Sequence, residues 1–382
     1  MKKDYLMIDN NAALLEFCKQ LQGSAWLAVD TEFEREKTYY PELCLLQVSN
    51  GDVEAIIDPL AISNLEPFLE LLYDKAITKV FHAANQDLEI LFHMEGAIPV
   101  PIFDTQIAAP MLGYAEQIGY ANLVKQSLGV ELDKGHSRTD WKRRPLSKAQ
   151  LDYAIDDVIY LGQIYEQFIN KLTALGRLEW LANDFSALAE PELYQPEPQK
   201  MWLKIRMANK LRGNKLAVFQ QLVAWREIKA RKENRPRNWL MRNEVIFDIA
   251  RLLPESKDDL SLLKGLNEQV LKRHGAEILS LVHDAQQQAP APLPTARLNK
   301  SLTLQQEATV DVLMAVVRLK AHEHQLSPVS LAPRKDLEIF VQDQTDSVLL
   351  KSWREHLIGH ELKSLLSGTK SLQLVEGQLT IV

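Results

Sequence analysis

Between Ala25 and Ile57 the chain runs in short apolar stretches whose alternation fits β-strands: Leu27-Ala28-Val29, Leu43 to Val48, and Val53 to Ile57. Asn50-Gly51-Asp52 reads as a hairpin turn between the last two, and Asp58-Pro59 closes the meander. Leu65 to Tyr73 places apolar residues at helical spacing. A further strand at Lys79-Val80-Phe81-His82 runs into the helical stretch Asn85 to Met94, and Asp104 or Thr105 would cap a helix over Gln106 to Leu112. Leu123 to Leu128 reads as a short helix. Ser147-Lys148-Ala149-Gln150 is a capping box that starts a long helix, Lys148 to about Leu172. Strands alternating with helices after an antiparallel meander predict a mixed α/β sheet covered on both faces.

The pattern changes near the Pro- and Glu-rich stretch Glu190 to Gln199. From Trp202 onward helical periodicity dominates, with no strand signal until the last few residues. Helices near Leu216–Lys232, Asn243–Leu252, Lys257–Leu263 and Glu268–Ala285 would form one bundle. Gln286 to Pro294 is rich in Gln, Ala and Pro, a semi-rigid linker, and a second helical unit follows from about Thr303 to Leu374. The expected division is therefore 1–199, 200–285, a linker at 286–300, and 301–382. Leu252-Leu253-Pro254 in the first bundle answers Leu331-Ala332-Pro333 in the second, which suggests a degenerate tandem repeat.

Charge sharpens this division. Residues 1–199 carry a net −15, residues 200–285 a net +8, and residues 286–382 none. A polyanion would dock on the middle segment, although a merely solvated Lys/Arg-rich helix face would look the same. The two cysteines, Cys18 and Cys44, sit in apolar stretches and read as reduced core residues of a cytoplasmic protein, not as a disulfide or metal cluster. No run reaches membrane-spanning length, and the N-terminus lacks the apolar core of a signal peptide.

The candidate chemistry starts at Trp26-Leu27-Ala28-Val29-Asp30-Thr31-Glu32-Phe33, where a buried strand ends in two acids one residue apart. Alternate side chains on a strand share a face, so Asp30 and Glu32 point the same way, and a cation between them relieves their repulsion. Asp87 stands in the first turn of a predicted helix, and Tyr153 and Asp157 stand four apart on the capped helix. Each has an ordinary explanation: strand-end acids facing water, a helix-start acid favoured by the dipole, a solvated pair. Asp156, three residues after Tyr153, satisfies the helical geometry as well as Asp157 does.

The order Asp-x-Glu, then Asp, then Tyr-x3-Asp, on strand, helix and helix, resembles the DEDD superfamily of 3′→5′ exonucleases in the branch whose third motif carries tyrosine. Asp30-Thr31-Glu32-Phe33, Leu43-Cys44-Leu45-Leu46-Gln47-Val48, Phe81-His82-Ala83, Trp141 to Ser147 and Tyr153 to Leu161 resemble the bacterial ribonuclease D family, and the two C-terminal bundles resemble its HRDC (helicase and RNase D C-terminal) modules. The resemblance implies a ribonuclease H-like α/β exonuclease domain followed by two all-α HRDC domains. It selects Asp157 over Asp156. It also implies that Asp30, Glu32, Asp87 and Asp157 hold two Mg²⁺ (or Mn²⁺), hard cations that prefer oxygen ligands and can clamp an in-line displacement. Tyr153 would orient the attacking water, since a phenol of pKa about 10 is a poor base.

Further residues are assigned to the substrate. Phe33 would pack on the terminal base and His82 would touch the scissile phosphate, each with a core role as its alternative. Lys134, Arg138, Lys142, Arg143 and Arg144 lie on an irregular segment placed to hold phosphates. In the first bundle, Arg231 to Trp239 mixes cations with an aromatic, an RNA-facing pattern. The expectation is a monomeric exoribonuclease that releases nucleoside 5′-monophosphates and trims the 3′ ends of structured RNAs, with precursor tRNA as the substrate implied by the family. A proofreading-type DNA 3′→5′ exonuclease and a non-catalytic RNA-binding adaptor are the alternatives.

Overall fold

The computed structural model describes residues 4–133, 135, 139–293, 301–345 and 347–382. A six-stranded sheet organises the first half. Its strands are β1 (Leu6–Ile8), β2 (Trp26–Glu34), β3 (Glu42–Ser49), β4 (Glu54–Ile57), β5 (Thr78–Phe81) and β6 (Ile102–Asp104), in the order β1-β4-β3-β2-β5-β6. The β2-β3-β4 meander is antiparallel, while β1, β5 and β6 are added in parallel. The sheet is therefore mixed, as the alternation of strands and helices predicts.

The helices of this half are α1 (Asn11–Leu21), α2 (Glu66–Leu72), α3 (Asn85–Glu95), α4 (Thr105–Ala108), α5 (Tyr120–Leu128), α6 (Lys148–Ala174) and α7 (Ala182–Leu188). They cover both faces. Leu27, Val29, Leu46 and Ile57 pack with α1, α2 and α3, while Ala28, Leu45, Ile56 and Val80 pack with α6. Strand β1 and helix α1 are absent from the sequence reading. Three residues are too few to show alternation, but Leu14, Phe17, Cys18 and Leu21 are all buried at helical spacing and were legible. Both cysteines are buried and neither is in a disulfide.

The rest is helical until the end. The first unit contains α8 (Gly213–Lys232), α9 (Arg237–Leu240), α10 (Asn243–Leu252), α11 (Lys257–Ser261) and α12 (Glu268–Gln286), with its own core around Phe219, Leu222, Ile246 and Ile278. The linker begins against this unit: Gln220 exchanges two 2.9 Å hydrogen bonds with the Ala291 backbone, and residues 294–300 lie outside the described residues. The second unit contains α13 (Leu304–Glu323), α14 (Pro328–Leu331), α15 (Arg334–Gln342), α16 (Ser352–Arg354) and α17 (His360–Leu366), and a hairpin of β7 (Leu372–Val375) with β8 (Gln378–Ile381) closes the chain.

The two units repeat, in a register different from the one expected. Helices α13, α14 and α15 each begin 91 residues after α8, α9 and α10. Leu331 therefore answers Leu240, not Leu252. The buried pairs Ala230/Ala321, Leu240/Leu331, Ile246/Leu337 and Ile249/Phe340 share this offset. So do Asn234 and Gln325, both left-handed after the long helix, at φ 47° and 51°. The Leu-x-Pro resemblance misled because two helices end in similar apolar residues.

Candidate active site

Strand β2 carries the first two acids toward the face covered by α6. The approach is close, because an added Cβ at Gly162 on α6 would lie 2.6 Å from the Trp26 ring at the start of β2. A larger residue there would push the helix off the sheet. Ser147 and Gln150 form the expected capping box at the start of α6, which fixes the helical phase of Tyr153 and Asp157. As a result Asp30, Glu32 and Asp157 each offer a carboxylate oxygen within 4.8 Å of the others. Asp156 is outside this group.

Asp87 arrives from the turn between β5 and α3. That turn is built by Asp104, whose carboxylate accepts from the backbone N–H of Ala83 (3.0 Å), Ala84 (2.9 Å) and Gln106 (2.8 Å), holding Ala83 at φ 60° while capping α4. Asp87 is buried in the first turn of α3 and accepts a 2.5 Å hydrogen bond from the Thr31 hydroxyl, between the two strand acids. It stands beside the three-acid cluster.

The electrostatics follow from crowding four carboxylates away from water. Burial, then the charges of Asp157, Asp87 and Glu32, push Asp30 well above the usual carboxylate range. Burial and the charges of Asp157 and Asp87 push Glu32 up to about 8. Burial raises Asp87 to about 7 despite the Thr31 hydrogen bond. Burial and the charges of Asp157, Glu32 and Asp30 push Tyr153 up to about 12, so its phenol keeps its proton at neutral pH. Such a cluster is costly without a cation, and its all-oxygen donor set suits a hard divalent metal. Gln47 of β3, paired across the sheet with Asp30, is fully buried with no hydrogen-bond partner for its amide among the described residues. An orphaned amide beside the acids fits a polar, ligand-bearing centre.

Asp30 and Asp157 open into a cleft of about 460 Å³ lined also by His82, Tyr120, Asn122 and Tyr153 among others. His82 Nδ1 lies 2.9 Å from the Thr105 hydroxyl, and burial lowers its pKa against the Asp104 charge and the Ile118 carbonyl. Tyr120 has no counterpart in the sequence reading. Its hydroxyl donates to the carbonyls of Asp156 (3.0 Å) and Asp157 (2.8 Å), tying α5 to the turn of α6 that carries the acid. No motif marks it, because the contact joins residues 36 and 37 apart through backbone atoms.

The other substrate candidates occupy varied places. A bulge between Glu32 and Phe33 re-aims Phe33, which is half-buried and absent from the cleft wall. Arg144 is a brace: its guanidinium donates to both Asp58 carboxylate oxygens (2.6 and 2.7 Å) and to the carbonyls of Cys44 and Trp141. Lys142 pairs with Glu42 and Glu34, whereas Arg143 is exposed. Trp141 is buried and stacks on Tyr153 at 6.3 Å, so this segment also supports the tyrosine. Lys134 and Arg138 lie outside the described residues. Glu89 on α3 accepts hydrogen bonds from both terminal nitrogens of Arg35 at 2.8 and 2.9 Å.

The basic run of the first helical unit is split by the fold. Arg231 and Arg237 turn inward to Glu227, which is 1% exposed, and to the Tyr39 hydroxyl. Burial opposes the Glu227 carboxylate, but hydrogen bonds from Arg237, Tyr39 and Arg231 outweigh it and hold the pKa at about 2. Asn234 accepts from the backbone N–H of Tyr39 (3.0 Å) and Tyr40 (3.1 Å). These contacts latch the unit to the loop that follows the two strand acids.

Fold and site together define a 3′–5′ exonuclease, and the family model of that description matches residues 5–173. The HRDC domain model matches residues 215–282. Ribonuclease D of Zymomonas mobilis is 36% identical over 98% of this chain and 97% of its own length, and that of Nitrobacter hamburgensis is 36% identical over 98% and 99%. The crystal structure of Escherichia coli RNase D, described as an exoribonuclease involved in structured RNA processing, superposes with a TM-score of 0.80 at 32% identity, covering 96% of this chain and 99% of that one. The chain belongs to the ribonuclease D family.

Proposed function

We propose that the chain is a metal-dependent 3′→5′ exoribonuclease that trims the 3′ ends of structured RNAs, precursor tRNA among them, and releases nucleoside 5′-monophosphates. The observation that carries this reading is the meeting of Asp30, Glu32 and Asp157 within 4.8 Å, with Asp30 and Asp157 lining an open cleft. Asp30, Glu32, Asp87 and Asp157 would hold two Mg²⁺ (or Mn²⁺). When bound, such cations activate water and neutralise charge on the leaving oxygen of an in-line displacement. Tyr153, protonated at neutral pH, hydrogen-bonds the attacking water and orients it without acting as the base. Trp141 and Tyr120 keep the tyrosine and the acid-bearing turn in place.

The exposed Arg143 and the cleft residues His82 and Asn122 would meet the substrate, with Phe33, just past the bulge, outside the cleft wall. Residues 1–199 form the catalytic part, 200–285 the RNA-binding part, and 301–382 a second HRDC-like unit that serves positioning. The protein acts as a cytoplasmic monomer; no described helix is long and apolar enough to cross a membrane. The test is a 5′-labelled RNA hairpin with a 3′ single-stranded tail, and an all-DNA copy, each in Mg²⁺ and in EDTA. A metal-dependent ladder that shortens from the 3′ end, faster on RNA and stalling near the stem, is expected. Equal or faster loss of DNA would make it a DNA exonuclease, and intact label with a shifted complex would leave a binding protein.

A further inference from the structure

We infer that the first helical unit carries a nucleotide subsite, in which Arg235, Arg242 and Arg273 hold phosphates of the RNA strand and Trp239 stacks on one of its bases. The inference rests on the exoribonuclease reading and adds where the strand is held away from the cleaved end.

The four residues come from three places in the unit: the turn before α9, the helices α9 and α10 with their junction, and α12. They line one polar cavity of about 320 Å³, within the size range of ligand pockets. The three arginines are exposed, and none has an ion-pair partner among the described residues. Glu233, on the same wall, faces His274 at 3.5 Å instead. The contrast with Arg231 and Arg237, both spent on Glu227, is direct. Of the basic run visible in the sequence, the fold uses two guanidiniums for docking and leaves Arg235 to join Arg242 from the next helix junction and Arg273 from α12. Trp239 is 53% exposed, an uncovered indole beside three planar cations. Guanidinium pairs bind phosphate bidentately, and an exposed aromatic accepts any base face, so the combination suits a nucleic-acid strand better than a peptide carboxylate.

The repeat supplies an internal control. At the corresponding positions the second unit has Leu326, Ser330 and Pro333 in place of Arg235, Trp239 and Arg242, on the same helix-turn-helix path. The scaffold therefore does not need these residues. The pocket is also fixed relative to the catalytic strand, because Asn234, next to Arg235, holds Tyr39 and Tyr40.

The test uses the full chain in EDTA, so that the strand is not consumed, and a labelled 20-nucleotide single-stranded RNA titrated by fluorescence anisotropy across a salt series. Replacing Arg235, Arg242 and Arg273 together by Ala should weaken binding about tenfold or more and flatten the slope of log affinity against log salt by about two to three. Trp239→Ala should weaken binding by about fivefold or more with the slope unchanged. All four side chains are exposed, and unchanged thermal melting confirms folding. Wild-type affinity and slope in both variants would overturn the subsite. Preferential, arginine-dependent binding of a polyglutamate peptide that RNA fails to displace would overturn it in favour of an acidic protein partner. Failure of the wild type to hydrolyse RNA in Mg²⁺ is a separate result and would strike the exoribonuclease reading instead.

Discussion

The two helical units share a path and differ in what they do with it. Each runs a 20-residue helix into a left-handed residue, then a four-residue helix, then a longer one, and each presents that turn to the exonuclease domain. In the first unit the turn meets Tyr39 and Tyr40 through Asn234 and through Arg231 and Arg237 gathered on the buried Glu227. In the second, Arg177 of the exonuclease domain donates to the His324 carbonyl at 2.5 Å, Ser330 donates to Glu116, and Trp353 stacks on Trp180 at 5.0 Å. The core under α6 continues into the second unit, whereas the first keeps its own core. The same helical path is thus docked twice, mainly through charge in the first unit and mainly through apolar packing in the second. What a repeat preserves is the backbone path and the buried apolar positions, because those alone are required to form it.

The largest expected effect removes catalysis while leaving both docked units alone. Asp157→Asn should cut kcat on RNA by at least about 10²-fold with no loss of thermal stability, since it deletes a ligand charge and relieves repulsion. Near-normal turnover would remove Asp157 from the centre. Next comes the charged interface. Glu227→Gln leaves two half-buried guanidiniums without their carboxylate and should destabilise the docking of the first unit by about 3 kcal/mol, seen as an earlier, separate melting transition. Arg177→Ala tests the second interface. It loses hydrogen bonds to the Met111 and His324 carbonyls and should cost less, about 1–3 kcal/mol, in the main transition. A larger loss from Arg177→Ala than from Glu227→Gln would reverse the contrast between the two interfaces.

Acid separates them further. Glu227 has a folded pKa of about 2 against an ordinary 4.5, so its contribution is full above about pH 4.5 and is lost as pH falls toward 2. The first unit should undock over that window and the second should not. The clustered acids of the cleft have the opposite sign. Glu32 and Asp87 titrate at about 8 and 7, so in EDTA they stabilise the fold most below about pH 4 and lose that contribution as pH rises through 8. Thermal melting in EDTA should fall over this range, and added Mn²⁺ should recover it most at high pH, where protons no longer compete. A flat profile would contradict the crowding of these carboxylates.

Much of the site was legible because its chemistry is local in sequence. Asp30 and Glu32 share a face by strand alternation, and Tyr153 and Asp157 share one by helical spacing, whatever surrounds them. Other features depend on residues far apart in the chain. Arg144 reads as a loop cation until Asp58, 86 residues away, is placed beside it. Tyr120 and Gln47 gain meaning only from the carbonyls and acids they face. The basic run Arg231 to Trp239 reads as one surface, and only the buried Glu227 one turn earlier divides it.

The sequence by itself determined the sheet's meander, the capped helix, the order of the acids and the polarity of each segment. These rest on backbone periodicity and on side chains within a few residues of one another. The tertiary structure decided how closely α6 lies on β2, which acids converge, the register of the repeat, and which arginines are consumed and which remain exposed. Those outcomes depend on the packing of Gly162 against Trp26 and on the cost of burying charge without a partner, and neither quantity exists until distant segments meet.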